Sequence, residues 1–152
     1  MDTYNSKYYE PLEQMMAIRH QYMSKILRDH SGQDIYEFFK NKKILDLGCG
    51  TGEFLNNYYG MGAECSGIDI ENNFKIKNKI NFKLINIEAN KFLKNCKKKF
   101  DVIFLFEFLE HLEEQDKYQL FENLTKNLNK NAYIFISTPV SYTHLTLPTR
   151  ST

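Results

Sequence analysis

Cysteine is scarce. Cys49, Cys65 and Cys96 make an odd set with no CxxC pair and no ladder of spacings. A disulfide framework and a structural zinc site are therefore disfavoured, and a reducing cytoplasm is the expected compartment. An excess of one charge is also missing. Twenty Lys and Arg stand against nineteen Asp and Glu, a formal net charge of +1, which argues against a general nucleic-acid binder or a polybasic membrane-surface protein. No apolar run approaches the roughly 18 residues of a membrane span. Met1-Asp-Thr-Tyr-Asn-Ser-Lys7 has no apolar stretch of the kind a secretory leader needs. What remains is 152 residues, 42% hydrophobic and 26% charged, the balance of one globular domain with a real core.

The C-terminal end is written differently from the rest. All 17 Lys and all 15 Asn lie before Pro139, whereas Val140-Ser-Tyr-Thr-His-Leu-Thr-Leu-Pro-Thr-Arg-Ser-Thr152 contains neither residue. Val140 to Thr149 resembles the in-frame translation of a transposase adapter used in sequencing libraries, and such scars are set aside before fold reasoning. Residues 140–152 are expected to be a non-native tail, on a reading frame cut short near Pro139.

Residues 11–30 carry Leu12, Met15, Met16, Ile18, Tyr22, Met23, Ile26 and Leu27 at three- and four-residue steps. This predicts an amphipathic helix opening near Pro11 and ending at Ser31-Gly32. With a short helix over Ile35 to Phe39 it forms an N-terminal helical cap, residues 1–41. The pattern then changes to short apolar runs: Lys43 to Leu47, Ala63 to Ile68, Phe82 to Ile85, Phe100 to Phe106 and Ala132 to Ser137. A helix is expected from Glu53 to Tyr59 and a longer one from Glu114 to Leu128. The Lys/Asn-rich connections after the second and third runs give only weak helix signals. Strands apolar on both faces and alternating with helices predict an α/β fold, a doubly wound parallel sheet covered by helices, over residues 42–139.

The first strand runs into Asp46-Leu-Gly48-Cys-Gly50-Thr-Gly52. Glycines there let a ligand approach the backbone closely, at the carboxyl end of the sheet where such folds bind. A dinucleotide loop has the spacing G-x-G-x-x-G, which counted from Gly48 would need glycine at Glu53. The observed D-x-G-x-G-x-G instead resembles motif I of the class I methyltransferases, which bind S-adenosylmethionine. Asp46, Gly48, Gly50 and Gly52 are thus candidate cofactor residues. Asp69, with Ile70 beside it, closes the second strand 21 residues after Gly48, where a carboxylate can accept both ribose hydroxyls. Asp69 could equally cap a helix over Glu71-Asn72.

The likeness extends beyond that loop. Leu12-Glu-Gln-Met-Met-Ala-Ile-Arg19-His-Gln-Tyr22-Met23 is similar to the leading helix of the ubiquinone-biosynthesis O-methyltransferases. Phe100-Asp-Val-Ile-Phe-Leu-Phe106-Glu-Phe-Leu-Glu110-His-Leu112 resembles that family's fourth strand and E-x-x-E-H segment, and Ile136-Ser-Thr138 its fifth strand. The chain departs from the family with GCGTG for the more frequent GCGGG, with Met16 for Asn, and with Tyr8-Tyr9 for a double tryptophan. The resemblance implies a Rossmann-like sheet, cut short here after its fifth strand. It implies that Arg19 meets the carboxylate of the cofactor's methionine part, Gly48 lies against the cofactor and Asp69 takes the ribose. Phe106 would touch the cofactor near the adenosine, and Asn86 and Ile87 would flank the adenine.

Glu107, Glu110 and His111 stand at i, i+3 and i+4 and would share one face of a helical turn. Two carboxylates and an imidazole suit a divalent cation such as Mg²⁺ or Mn²⁺, and the family likeness implies one, which would acidify and orient a catechol hydroxyl. The same residues also read as an exposed acidic turn, or as His111 alone acting as general base. No covalent catalyst is assigned, because methyl transfer from a sulfonium needs chiefly proximity and orientation. Cys49 reads as a packing thiol.

The expected function is methyl transfer from S-adenosylmethionine to a small molecule, at the oxygen of a phenolic or quinone-precursor acceptor. A lipid quinone acceptor would bring peripheral membrane contact; no nucleic-acid partner is expected. The alternatives are a methyltransferase of a sugar or lipid intermediate, and a catalytically silent cofactor-binding module. A nucleotide-base N-methyltransferase is disfavoured, because Phe106-Glu-Phe-Leu109 stands where an N/D-P-P-Y/F motif belongs. With a fifth strand left as an apolar edge, the 152-residue chain is expected to be poorly soluble and inactive.

Overall fold

A computed structural model describes residues 6–77 and 79–138, with side chains from residue 13 onward. The tail expected at 140–152, together with Pro139, lies outside the described residues. Along the chain come α1 (Ser6–Ser31), α2 (Ile35–Phe39), β1 (Lys43–Leu47), α3 (Glu53–Gly60), β2 (Glu64–Asp69) and β3 (Phe82–Asn86). Then follow α4 (Ala89–Asn95), β4 (Phe100–Phe106), a 3₁₀ turn (Leu109–His111), α5 (Glu114–Lys126) and β5 (Leu128–Ser137).

All strand pairs are parallel, in the order β3-β2-β1-β4-β5. The chain builds outward from β1 to β3, then crosses back over β1 to β4. That reversal opens a crevice at the carboxyl ends of the strands, where open α/β sheets bind ligands. Register brings the strand exits together: Leu47 pairs with Ile68, Asp69 with Asn86, and Asp46 with Phe104.

Alternation along each central strand feeds two cores, one per face. Ile44, Cys65, Val102 and Phe104 pack against Met23 and Leu27 of α1, Phe38 and Phe39 of α2, and Phe54 and Tyr58 of α3. Leu45, Leu47, Ile68, Ile103 and Leu105 point the other way, onto Ala89 and Leu93 of α4 and Leu120 and Leu124 of α5. This explains why the strands read as near-continuous apolar runs: both faces are covered. The side chains of α1 and α2 are thus part of the sheet's own core.

Local signals fix several boundaries. Asp34 caps α2, its Oδ1 accepting from the N–H groups of Tyr36 (2.7 Å) and Glu37 (3.2 Å). Glu88 does the same for α4, accepting from Asn90 and Lys91 at 2.8 Å each.

The structure corrects the sequence expectations in four places. Helix α1 begins at Ser6, upstream of Pro11, since a proline near a helix start removes one hydrogen bond without stopping the turns around it. On α1, Ile18 and Tyr22 are 64% and 68% exposed; the buried stripe follows Met23 and Leu27, and the other two fall on the outer face. No helix follows β2 among the described residues, so Asp69 is no helix cap: its Oδ1 accepts from Glu71 N–H at 2.9 Å in an Asx turn. Finally, α5 stops at Lys126 and β5 starts at Leu128 rather than Ala132. The ladder takes up the surplus between the pairs Phe100–Leu128 and Val102–Tyr133, with Asn131 at φ 62°.

Candidate functional site

The glycine loop leaves β1 with Gly48, Gly50 and Gly52 at φ 77°, 56° and 83°, a run of left-handed backbone that side-chain-bearing residues resist. The turn is tied to the neighbouring strand. Gly48 and Cys49 donate to the Ile68 carbonyl at 2.8 and 3.1 Å, and Gly50 N–H donates to Asp69 Oδ2 at 2.8 Å. Each oxygen of Asp69 therefore accepts one backbone N–H and keeps lone-pair capacity toward the cleft. A Cβ on Gly50 would meet nothing within 4 Å, so that backbone lies open to a ligand. Gly67 has a different reason to be glycine: a Cβ there would stand 2.7 Å from Cys49 Sγ and from Leu84 Cδ2. Cys49 is packed against β2, and burial, with the charges of Asp46 and Asp69, raises its thiol pKa. This fits a packing thiol.

Asp46 lies beneath the loop, 4% exposed. Burial pushes its pKa up to about 8; Arg19 partly offsets this and Asp69 adds to it. Asp46 is thus protonated at neutral pH in the free protein, ready to ionise if a cation arrives.

The cleft beside the loop encloses about 450 Å³. Of the residues singled out by sequence, it brings together Gly48, Asp69, Ile70, Ile87, Glu107 and His111. Arg19, Asp46, Gly50, Gly52, Asn86, Phe106 and Glu110 stand behind or beside that lining. Asn86 has a structural job, its Nδ2 donating to the carbonyls of Asp69 (3.0 Å) and Ile70 (2.9 Å) and so holding the exit of β2 against β3. Arg19 reaches over from α1, its guanidinium 4.8 Å from the Phe106 ring centre and 5.6 Å from that of Phe54.

Glu71, Glu88, Phe108 and Leu112 also line the cleft, and sequence reasoning missed them. Glu71 and Glu88 could have been found, for each lies two residues past the end of a strand, at the sheet edge where ligands bind. Phe108 carries no such signal; its ring packs where a Cβ on Gly48 would be, at 2.8 Å. The lining holds Asp69, Glu71, Glu88 and Glu107, and no Lys or Arg among the described residues.

The divalent-cation expectation does not fit this geometry. Glu107 sits at φ 49° outside any helix, and only Leu109–His111 form a turn, of the 3₁₀ type. The common face predicted for an α-helical i, i+3, i+4 trio is therefore not built. Glu107 turns to Arg19, with Nη2 to Oε1 at 3.6 Å, while Glu110 Oε1 lies 3.8 Å from His111 Nε2. No group of three His, Cys, Asp or Glu side chains able to hold a metal ion occurs among the described residues.

Comparison with known proteins agrees with this geometry. Residues 15–150 match the methyltransferase domain family. A ubiquinone biosynthesis O-methyltransferase of Pelagibacter ubique (strain HTCC1062) is 34% identical over 140 residues, covering 86% of this chain and 56% of the relative. The chain thus spans about half the length of that protein. An S-adenosylmethionine-dependent methyltransferase from Archaeoglobus fulgidus superposes with a TM-score of 0.58 at 26% identity, over 87% of this chain and 58% of its own. The plantazolicin methyltransferase BamL, solved with a triazolic desmethylPZN analogue and S-adenosylhomocysteine, shares the fold with a TM-score of 0.65 at 22% identity, over 86% and 49%. With its Rossmann-like parallel sheet and a glycine loop tied to the acid of the second strand, the chain belongs to the methyltransferase domain family.

Proposed function

We propose that the cleft binds S-adenosylmethionine and that the protein methylates an oxygen of a small-molecule acceptor, of the phenolic or quinone-precursor class. The observation that carries the donor assignment is the charge of the cleft: Asp69, Glu71, Glu88 and Glu107 in its lining, with Arg19 reaching the rim only onto Glu107, and a glycine loop open at Gly50. A pyrophosphate-bearing dinucleotide would meet repulsion there, whereas a sulfonium cation meets attraction. The residues present fit the donor. Asp69 is the acceptor for the ribose hydroxyls, Gly48 and Gly50 let the ligand lie on the backbone, and Ile87 offers an apolar wall to the adenine. Arg19 is the counter-charge for the methionine carboxylate, and Asp46 for the positive end of the ligand.

When bound, the donor supplies an activated methyl group, and in-line attack needs positioning more than side-chain chemistry. The protein's part is to hold the ligand, to shield it with Phe108 and Leu112, and to take a proton from the acceptor hydroxyl. His111, on the cleft wall, is the base we assign to that proton. No step is routed through a metal. The acceptor class rests on the names of the relatives, which are ubiquinone biosynthesis O-methyltransferases. A lipid quinone acceptor would require contact with a membrane surface; no helix among the described residues is long and apolar enough to cross one.

Ultraviolet crosslinking with methyl-labelled S-adenosylmethionine, followed by peptide mapping, tests the assignment. Label is expected in peptides carrying Asp69–Glu71 or Glu107–Leu112, and NADH should not displace it. Label elsewhere, or displacement by NADH, would contradict the donor assignment. Adding a catechol should alter labelling of the Glu107–Leu112 peptide; indifference to the catechol with a response to an aliphatic amine would overturn the oxygen assignment.

A further inference from the structure

Arg19 and Glu107 come from distant parts of the chain and meet at the rim of the cleft. The guanidinium is pinned by the rings of Phe106 and Phe54, and its side chain is only 17% exposed. Glu107 is the looser partner, with its side chain 42% exposed. Their separation of 3.6 Å is well beyond the roughly 2.7–2.9 Å of a charge-assisted hydrogen bond. The backbone of Glu107 is fixed independently, for its N–H donates to the Ser137 carbonyl at 2.9 Å. The side chain can therefore swing away by rotation about its own bonds, with no change in the strand exit. Glu107 already lines the cleft, so leaving Arg19 turns its carboxylate into the space next to Phe108 and His111.

We propose that Glu107 is the resident counter-ion of Arg19, that the carboxylate of the methyl donor displaces it, and that donor binding thereby frees Glu107 for the acceptor side of the cleft. The proposal deepens the donor assignment above and rests on it. Exchanging one carboxylate for another at the same guanidinium is close to neutral in charge, so the exchange costs little; what changes is where the carboxylate of Glu107 points. Glu107 acts here as a positioning residue in competition with ligand.

Two ligands separate this exchange from a general effect on the cleft. S-adenosylhomocysteine carries the carboxylate, and 5′-methylthioadenosine has the same adenosine and sulfur without it. Calorimetric titration of the full 152-residue chain is expected to show Glu107→Gln binding S-adenosylhomocysteine about threefold more tightly, the scale of a partly exposed ion pair. Methylthioadenosine affinity should be unchanged. In an Arg19→Met background, the Glu107→Gln gain should disappear, as a double-mutant cycle requires of a coupled pair; Arg19→Lys, which keeps the charge, should retain part of it. Equal tightening of both ligands, no tightening of S-adenosylhomocysteine, or the same gain without Arg19 would overturn the exchange. Failure of the unaltered chain to bind S-adenosylmethionine in a parallel titration would overturn the donor assignment and, with it, the exchange.

Discussion

The exits of β1 and β4 lie side by side at the cleft, yet they are organised by different forces. At the β1 exit the backbone dictates the shape: three glycines in left-handed conformation, with hydrogen bonds from the loop to Ile68 and Asp69. At the β4 exit a backbone hydrogen bond from Glu107 N–H to the Ser137 carbonyl fixes the chain, and an ion pair decides where the side chain points. Glu107 takes a left-handed backbone without being glycine, and its carboxylate is drawn to an arginine 88 positions earlier in the chain. The first arrangement is tied to β2 by three hydrogen bonds. The second is held by an ion pair at 3.6 Å, the one we propose the donor exchanges. A methyl donor needs a fixed cradle, and an acceptor site gains from one that responds.

The predictions sharpen this contrast. The largest effect is expected at the joint of the first region. Asp69→Ala removes the acceptor we propose for two ribose hydroxyls and leaves the N–H groups of Gly50 and Glu71 without it, so donor affinity should fall by at least about a hundredfold, given about 1.5–3 kcal/mol per hydrogen bond to a charged group. Calorimetry checks this, and a loss below threefold would show that the ribose lies elsewhere.

Next come the glycines. Gly67→Ala forces a methyl against Cys49 Sγ and Leu84 Cδ2, each 2.7 Å away, and should cost about 1–3 kcal/mol of stability through overpacking. Gly50→Ala puts its methyl into open space, leaving only the left-handed backbone penalty of about 1–2 kcal/mol. Chemical denaturation measures both; the distinctive expectation is that Gly50→Ala also weakens donor binding, by crowding the open backbone.

A third effect is a pH dependence. Asp46 has a folded-state pKa of about 8 against an ordinary value of 3.8. Between those values the folded chain holds a proton that the unfolded chain has lost, so stability falls as pH rises through that window, by up to about 1.4 kcal/mol per pH unit from this group. Asp46→Asn should flatten that slope. A cationic ligand favours the ionised form, so donor binding near pH 7 should release a proton and tighten as pH approaches 8. Calorimetry in buffers of different ionisation enthalpy reads the proton directly, and net proton uptake would contradict this role. The smallest effect is expected from metal: with Glu107 on Arg19, millimolar Mg²⁺ should leave the melting temperature of the free chain unchanged.

The same contrast explains what the sequence made legible. The glycine loop, Asp69 and the strands reveal themselves locally, because a turn that needs glycine and a strand buried on both faces restrict the residues that can stand there. Helix α4 was weakly signalled in a Lys/Asn-rich stretch, and its cap Glu88 looks like any surface acid until its two backbone partners are seen. The absence of a helix after β2 was not legible, since the Asx turn at Asp69 and the clamp from Asn86 depend on the neighbouring strand. Glu107, Glu110 and His111 misled because their spacing is read on an ideal α-helix, whereas the pull of Arg19 and a 3₁₀ turn decide where they point. The outward face of Ile18 and Tyr22 was hidden for a related reason: apolar periodicity proposes a stripe, and tertiary packing selects which side of it is buried.

The central claim is that the acidic cleft beside Asp69 selects a sulfonium-bearing adenosine ligand, and paired titrations with S-adenosylmethionine and NADH test it most directly. Saturable binding of S-adenosylmethionine, lost in Asp69→Ala and unmatched by NADH, is the expected result. Tight binding of NADH with no response to S-adenosylmethionine would contradict it.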